Sequence, residues 1–219
     1  MLKIYGADLS TSSNKVRFVA NLLNIEYDYV RVKVKDGETR TAEYLRMHPA
    51  GKVPVIEDDG FVLFESNSIC RYLCHKKQSG LYPQELKPRS LIDQWLDFVS
   101  MHIGGAINKV AFNRLFAPII PVEVDKRSEQ DGVNFFNRFL PAVENSLKHH
   151  PYLPGDTISL ADINLLATLD PVELAKLDIT PYSRLVAWRN KLRQQEFYTK
   201  CYEEYGETYK KMISSGKKQ

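Results

Sequence analysis

An α/β domain with the element order β-α-β-α-β-β-α, followed by an all-α domain, is the fold that this sequence predicts. Three observations carry it. Short β-type and helical runs alternate up to about residue 75. Asp59-Gly60 stands between two short apolar runs. Beyond "QSGLYPQELKP" the β pattern stops and apolar residues recur at helical spacing.

The first run, "LKIYG", is β-like and ends at Gly6, and "KVRFVANLLN" then carries apolar residues three and four apart. "YDYVRVKV" alternates as a strand does, and "TAEYLRM" is helical again. "KVPVIEDDGFVLFE" reads as two strands joined at Asp59-Gly60, a strong short hairpin signal. "SNSICRYLCHK" closes the half as a helix. A right-handed crossover is expected between the parallel first strands.

In the second half, "SLIDQWLDFVSMHIGGAINKVAFNRLF" is helical up to Pro118, with Gly104-Gly105 offering close packing or a kink. "VDKRSEQDGVNFFNRFLPAVENSLKHH" is helical up to Pro151 and has to tolerate Pro141 or bend near it. "SLADINLLATLD" opens with a capping box, in which Ser159 accepts from the Asp162 N–H and Asp162 reaches back to Ser159 N–H. Ile158 and Ile163 flank it as a staple. The predicted division is residues 1–78, a linker at 79–88, and a helical domain over 89–219.

Composition bounds the function. With 219 residues, 43% hydrophobic and 26% charged, the chain has the make-up of an ordinary globular protein. A net charge of +3 without clustering gives no nucleic-acid or membrane-surface partner. Lys217 and Lys218 sit in a polar end expected to fray. No signal-peptide pattern opens the sequence and no apolar run nears the roughly 20 residues that span a bilayer, so a cytoplasmic location is expected. Three cysteines make no disulfide framework; Cys70 and Cys74 share a helical face and read as core thiols. The five histidines form no metal motif, and no metal is predicted.

"ADLSTSSNKVRF" places Ser10, Thr11, Ser12 and Ser13 directly before a helical pattern. Such residues cap helices. A hydroxyl beside the positive end of a helix can also stabilise an anion.

Taken together, several motifs resemble those of cytosolic glutathione transferases. They are "YGADLS" followed by "KVR", "GETRTAEYLRMHPAGKVPVIEDDG", "FESNSI" and "SLADINL". They run in order across nearly the whole chain and look most like bacterial members of the serine-type, theta- or phi-like branches. The resemblance implies a thioredoxin-like N-terminal domain, an all-helical C-terminal domain, glutathione as co-substrate, a small hydrophobic electrophile as second substrate, and a homodimer. The activity it implies is glutathione transfer. Glutathione-dependent peroxide or disulfide reduction, or a non-catalytic glutathione-binding interaction module, are the alternatives.

The resemblance also implies roles for single residues. Val53-Pro54 matches the cis-proline position, at which Val53 pairs with the glutathione backbone as an added strand would. Glu65 matches the partner of the ligand ammonium, and Ser66 opens a helix whose N–H groups receive the γ-glutamyl carboxylate. Lys52 and Arg40 match basic positions for the glycine carboxylate. His48 and Ala50 stand where relatives often carry Asn, and His48 has no assigned role. Ser10 is expected to hydrogen-bond the thiolate, with Ser12 and Thr11 as the alternative hydroxyls, while Ser12 or Ser13 caps the helix, Ser13 if the helix begins near Asn14. The electrophile is expected in a cleft walled by Asp8 and Leu9 on one side and Asn108, Phe112, Leu115 and Phe116 on the other.

Overall fold

In the computed structural model of the chain, described here for residues 1–201 and 205–216, strand β1 (Leu2–Gly6) alternates buried Leu2, Ile4 and Gly6 with half-buried Lys3 and Tyr5. That period of two places one face against a core. Lys217 and Lys218, expected to form a frayed tail, lie outside the described residues. Strand β2 (Tyr27–Arg31) runs parallel to β1, and β3 (Val55–Asp58) and β4 (Phe61–Phe64) are antiparallel neighbours in the order β2-β1-β3-β4. The Asp59-Gly60 hairpin forms as predicted. Both central residues have positive φ, 51° and 86°, the backbone of a type I′ turn, and glycine adopts it without a Cβ penalty.

Helices α1 (Thr11–Leu22), α2 (Ala42–Met47) and α3 (Ser66–Lys76) complete the predicted order of this half. The core joins Ile4, Val55 and Ile56 of the sheet with Val16, Val19 and Ala20 of α1 and Ile69, Cys70, Leu73 and Cys74 of α3, all at most 2% exposed. Both thiols are core residues. Burial pushes the Cys70 thiol up to about 12 and raises that of Cys74 further, so neither supplies a thiolate near neutral pH.

The second half is helical throughout its regular structure. Helix α4 (Leu86–Phe98) continues through a π-helical stretch, Val99–Gly104, into α5 (Gly105–Ala111) and a second π stretch, Phe112–Phe116. Buried Gly104 stands where an added Cβ would meet the Val99 carbonyl at 3.2 Å. Helix α6 (Lys126–His149) runs straight through Pro141 and buries Gly132 against α5, where a Cβ would come within 2.8 Å of the Ala106 carbonyl. Helices α7 (Leu160–Thr168) and α8 (Ser183–Arg193) follow.

The α7 capping box closes as predicted. Asp162, fully buried, accepts from the N–H groups of Leu153, Ser159 and the Trp188 indole at 2.8, 2.9 and 3.1 Å. One carboxylate thus ties α7 to the preceding loop and to α8. Burial raises its carboxyl to about 7 against these donors.

By packing, the chain forms two units, residues 1–83 with 194–219, and residues 84–193. The C-terminal segment, placed on sequence in the helical domain 89–219, therefore groups with the sheet-containing unit, against α1. Its helices are α9 (Glu196–Thr199) and α10 (Tyr205–Gly216). The physical reason lies on α1: Arg17 donates to the Cys201 carbonyl at 2.9 Å, Asn21 donates to the Phe197 carbonyl at 2.9 Å, and the Phe18 ring meets Tyr198 at 4.9 Å.

Asp162→Ala leaves three buried N–H donors without an acceptor, and is expected to lower unfolding free energy by about 3 kcal/mol or more. Urea unfolding followed by tryptophan fluorescence, for which Trp188 is a direct reporter, checks this.

Candidate active site

The loop between β1 and α1 is built from its own polar residues. Ser10 N–H donates to the Ala7 carbonyl at 2.9 Å, and the Ser10 hydroxyl oxygen accepts from Ser13 N–H at 3.2 Å. Ser10 is therefore the N-cap of α1, with the extended backbone that a cap requires. The expectation that Ser12 or Ser13 caps this helix is thereby corrected: both lie in its first turn, and Ser13 is fully buried. Its hydroxyl accepts from Ala7 N–H at 3.3 Å, and the Asn14 amide donates to the Asp8 carbonyl at 2.7 Å. The Tyr205 hydroxyl donates to the Leu9 carbonyl at 2.6 Å, so α10 holds the same loop from the other side.

Ser12, half-buried in the first turn of α1, faces a recess of about 160 Å³ together with His48, Lys52, Val53, Pro54, Glu65 and Ser66. Five sequence-predicted ligand contacts thus meet in one place. The Val53-Pro54 peptide is cis. The hydroxyl that joins them is Ser12; Ser10, Thr11 and Leu9 are not among the lining residues. Arg40 is also outside the lining, exposed, with its guanidinium 3.4 Å from the Ala50 carbonyl.

His48 had no role assigned from sequence, and the structure gives it one. It is 3% exposed, its ring packs on Phe64 at 4.8 Å, and its Nδ1 accepts from Ala50 N–H at 3.2 Å. Burial lowers its pKa, which favours the neutral ring that can accept this bond. His48 therefore shapes the turn leading to Lys52 and Val53. The Tyr44 hydroxyl supports that turn from α2 by donating to the Lys52 carbonyl at 3.0 Å.

Glu65 enters α3 with φ 70° and ψ 109°, a conformation that a residue with a side chain adopts at a cost of about 1–3 kcal/mol. Strain of this kind persists where the surroundings impose it. Here it turns the chain out of β4 so that Ser66 opens α3 at the edge of the recess. The exposed Glu65 carboxylate and the first residue of α3 then border the same space.

Asn108, Phe112, Leu115 and Phe116 belong to the other packing unit. Asn108 and Phe112 are exposed, Phe116 is half-buried, and Leu115 is buried. Among the described residues no group of three or more His, Cys, Asp or Glu side chains can hold a metal ion. Among them, too, no helix is long and apolar enough to cross a membrane.

Comparison with known proteins bears on this geometry directly. The model of the glutathione S-transferase N-terminal domain matches residues 9–76, and that of the C-terminal domain matches residues 107–196. Glutathione S-transferase F10 of Arabidopsis thaliana is 30% identical over 199 residues, 88% of this chain and 92% of the relative. The chain belongs to the glutathione S-transferase family.

The crystal structure of glutathione transferase F2 from Populus trichocarpa shares the transferase fold with a TM-score of 0.85 at 28% identity, covering 92% of this chain and 97% of that one. The thioredoxin-like and helical halves predicted from sequence are those of the family. A probable glutathione S-transferase, GSTF2 of Oryza sativa subsp. japonica, is 30% identical over 76% of this chain and 78% of its own length. These relatives are plant proteins, and they establish the family rather than a bacterial branch of it.

Glu65→Gly is expected to leave the unfolding midpoint unchanged or higher, because glycine adopts φ 70° freely, while weakening glutathione binding at least tenfold through loss of the carboxylate. A thermal melt beside calorimetric titration separates the two effects.

Proposed function

We propose that this transferase binds glutathione in the recess and activates its thiol through the hydroxyl of Ser12 for attack on a small hydrophobic electrophile. The observation that carries this reading is the meeting of Ser12, Val53-Pro54 and Glu65-Ser66 around one space. Val53 pairs with the peptide backbone of the ligand, Ser66 and the α3 start receive its γ-glutamyl carboxylate, and Glu65 takes its ammonium. Lys52, with Arg40 reaching in from the neighbouring loop, takes the glycine carboxylate.

The energetics are sufficient without a strong base. A thiol of pKa about 8.5 is roughly 3% thiolate at pH 7, and lowering it by about two units takes about 2.7 kcal/mol. A hydroxyl donating to the thiolate supplies about 1.5–3 kcal/mol. The positive end of α1 adds about 0.3–1 kcal/mol. Serine therefore acts as a donor and keeps its own proton.

The choice of Ser12 over Ser10 rests on one fact. Ser12 lines the recess, and neither Ser10 nor Thr11 is among the lining residues. The electrophile wall is proposed as Leu9 with Asn108, Phe112, Leu115 and Phe116, the working state as a cytoplasmic homodimer, and the domains as 1–78 and 89–193 joined at 79–88, with the segment from residue 194 onward grouped with the first. The electrophile itself is a small apolar molecule with an electron-poor carbon.

A second reading, a glutathione-binding interaction module without turnover, is favoured by one observation. Elongation factor 1-gamma 1 of Oryza sativa subsp. japonica is 36% identical over 72% of this chain, which spans 38% of that protein. Its name places it in translation.

Ser12→Ala is expected to lower kcat/KM for chlorodinitrobenzene at least tenfold and return the ultraviolet titration of bound glutathione towards that of the free thiol. Ser10→Ala is expected to cost about 1 kcal/mol of stability as a lost cap and to leave that titration in place. The reverse pattern would make Ser10 the donor, and absence of any thiol shift in the unaltered protein would favour the module.

A further inference from the structure

Lys15 lies three residues beyond Ser12 on α1 and so on the same helix face, yet it is only 7% exposed. An ammonium so buried requires a partner. Its Nζ donates to Asn67 Oδ1 at 2.5 Å, and Asn67 is the second residue of α3, next to Ser66 in the recess. Facing it from the first turns of α3 are Glu65, Asn67, Cys70 and Arg71. Cys70 stays a neutral thiol, for the reason given above. A cation held beside the positive end of a helix is unfavourable by itself, and Arg71 adds to the excess. A carboxylate bound at the α3 start relieves both.

We propose that Lys15 is a positioning and specificity residue, whose buried ammonium pins the α3 start to α1 and makes it select a ligand carboxylate. This rests on the glutathione reading above and deepens it. The "KVR" segment thereby acquires a function beyond helix packing: a charged hydrogen bond joins the thiol-side helix to the carboxylate-side helix. The resulting preference is for the γ-glutamyl α-carboxylate over ligands that lack it.

The linkage to pH has a definite sign. Burial lowers the Lys15 ammonium to about 8, with Arg71 acting the same way and Cys70 and Glu65 opposing it. The charge is present below about 8 and lost as pH rises through it. Carboxylate affinity should fall over the same window.

The test is calorimetric titration of the full chain with S-methylglutathione, which has no thiol proton, between about pH 6.5 and 9. Lys15→Met is expected to bind about tenfold more weakly than the unaltered protein at the lower pH, with the gap closing at the higher. Lys15→Arg keeps its charge throughout and is expected to lose less affinity across the window than the unaltered protein; the ligand amino group titrates equally in both. Equal pH dependence of the unaltered protein and Lys15→Arg would overturn the proposal, and that comparison stands even where Lys15→Met fails to fold by circular dichroism. A folded Lys15→Met that binds as tightly as the unaltered protein would overturn it too. Absence of binding by the unaltered protein removes the glutathione reading and this inference with it, whereas binding that ignores Lys15 removes this inference alone.

Discussion

Ser13 and Asn14 are fully buried, and both turn their polar atoms onto the loop before α1 rather than outward. A buried hydroxyl and a buried amide each cost free energy unless bonded, so these two residues fix the path of residues 7–10. Ser10 then closes the helix end, and Ser12 of the first turn lines the recess. The geometry of the thiol end is thus set by satisfaction of buried polar groups beside it. Tyr205, from the far end of the chain, completes the constraint by bonding the Leu9 carbonyl.

The carboxylate end is set by a different device. Glu65 is held at positive φ between a strand and a helix, and that single unfavourable residue aims the start of α3 at the recess. The surroundings that impose it are apolar: Ile69, Cys70 and Leu73 seat α3 on the sheet within its first two turns. Packing of the core therefore supports the strain, and the strain presents the N–H groups. Lys15 spans the two devices, since its helix carries Ser12 and its partner is Asn67.

What the sequence revealed follows the strength of the local physics. The hairpin at Asp59-Gly60 and the capping box at Ser159 and Asp162 were legible because each is decided by residues within a few positions of one another. Val53-Pro54 and Glu65-Ser66 were legible as motifs. Which of the four consecutive hydroxyl residues lines the recess was not, because successive residues on a helix point about 100° apart. Nor was the partner of the C-terminal segment: an amphipathic pattern tells that a face is covered, not by which element. The stretch around Phe197, Tyr198 and Cys201 consequently reads as part of the helical half, yet it packs on α1 through Arg17, Phe18 and Asn21. The π-helical stretches left no pattern at all, since their apolar spacing is that of an α-helix.

The two ends of the recess also bear on how one fold serves both transferases and a protein named elongation factor 1-gamma 1, 38% of which this chain spans. In the proposed reading binding depends on Val53, Glu65, Ser66 and the start of α3, whereas activation depends on a hydroxyl one helix away. A chain can lose the second without disturbing the first, because substituting a half-buried serine in the first turn of α1 removes no core contact. The reverse is costly where a change reaches the core, because Ile69, Cys70 and Leu73 seat the helix that borders the recess. In a recess built this way, turnover is the more easily lost property and ligand recognition the more durable one. Ser12 is thus the position at which a transferase and a binding module would differ first.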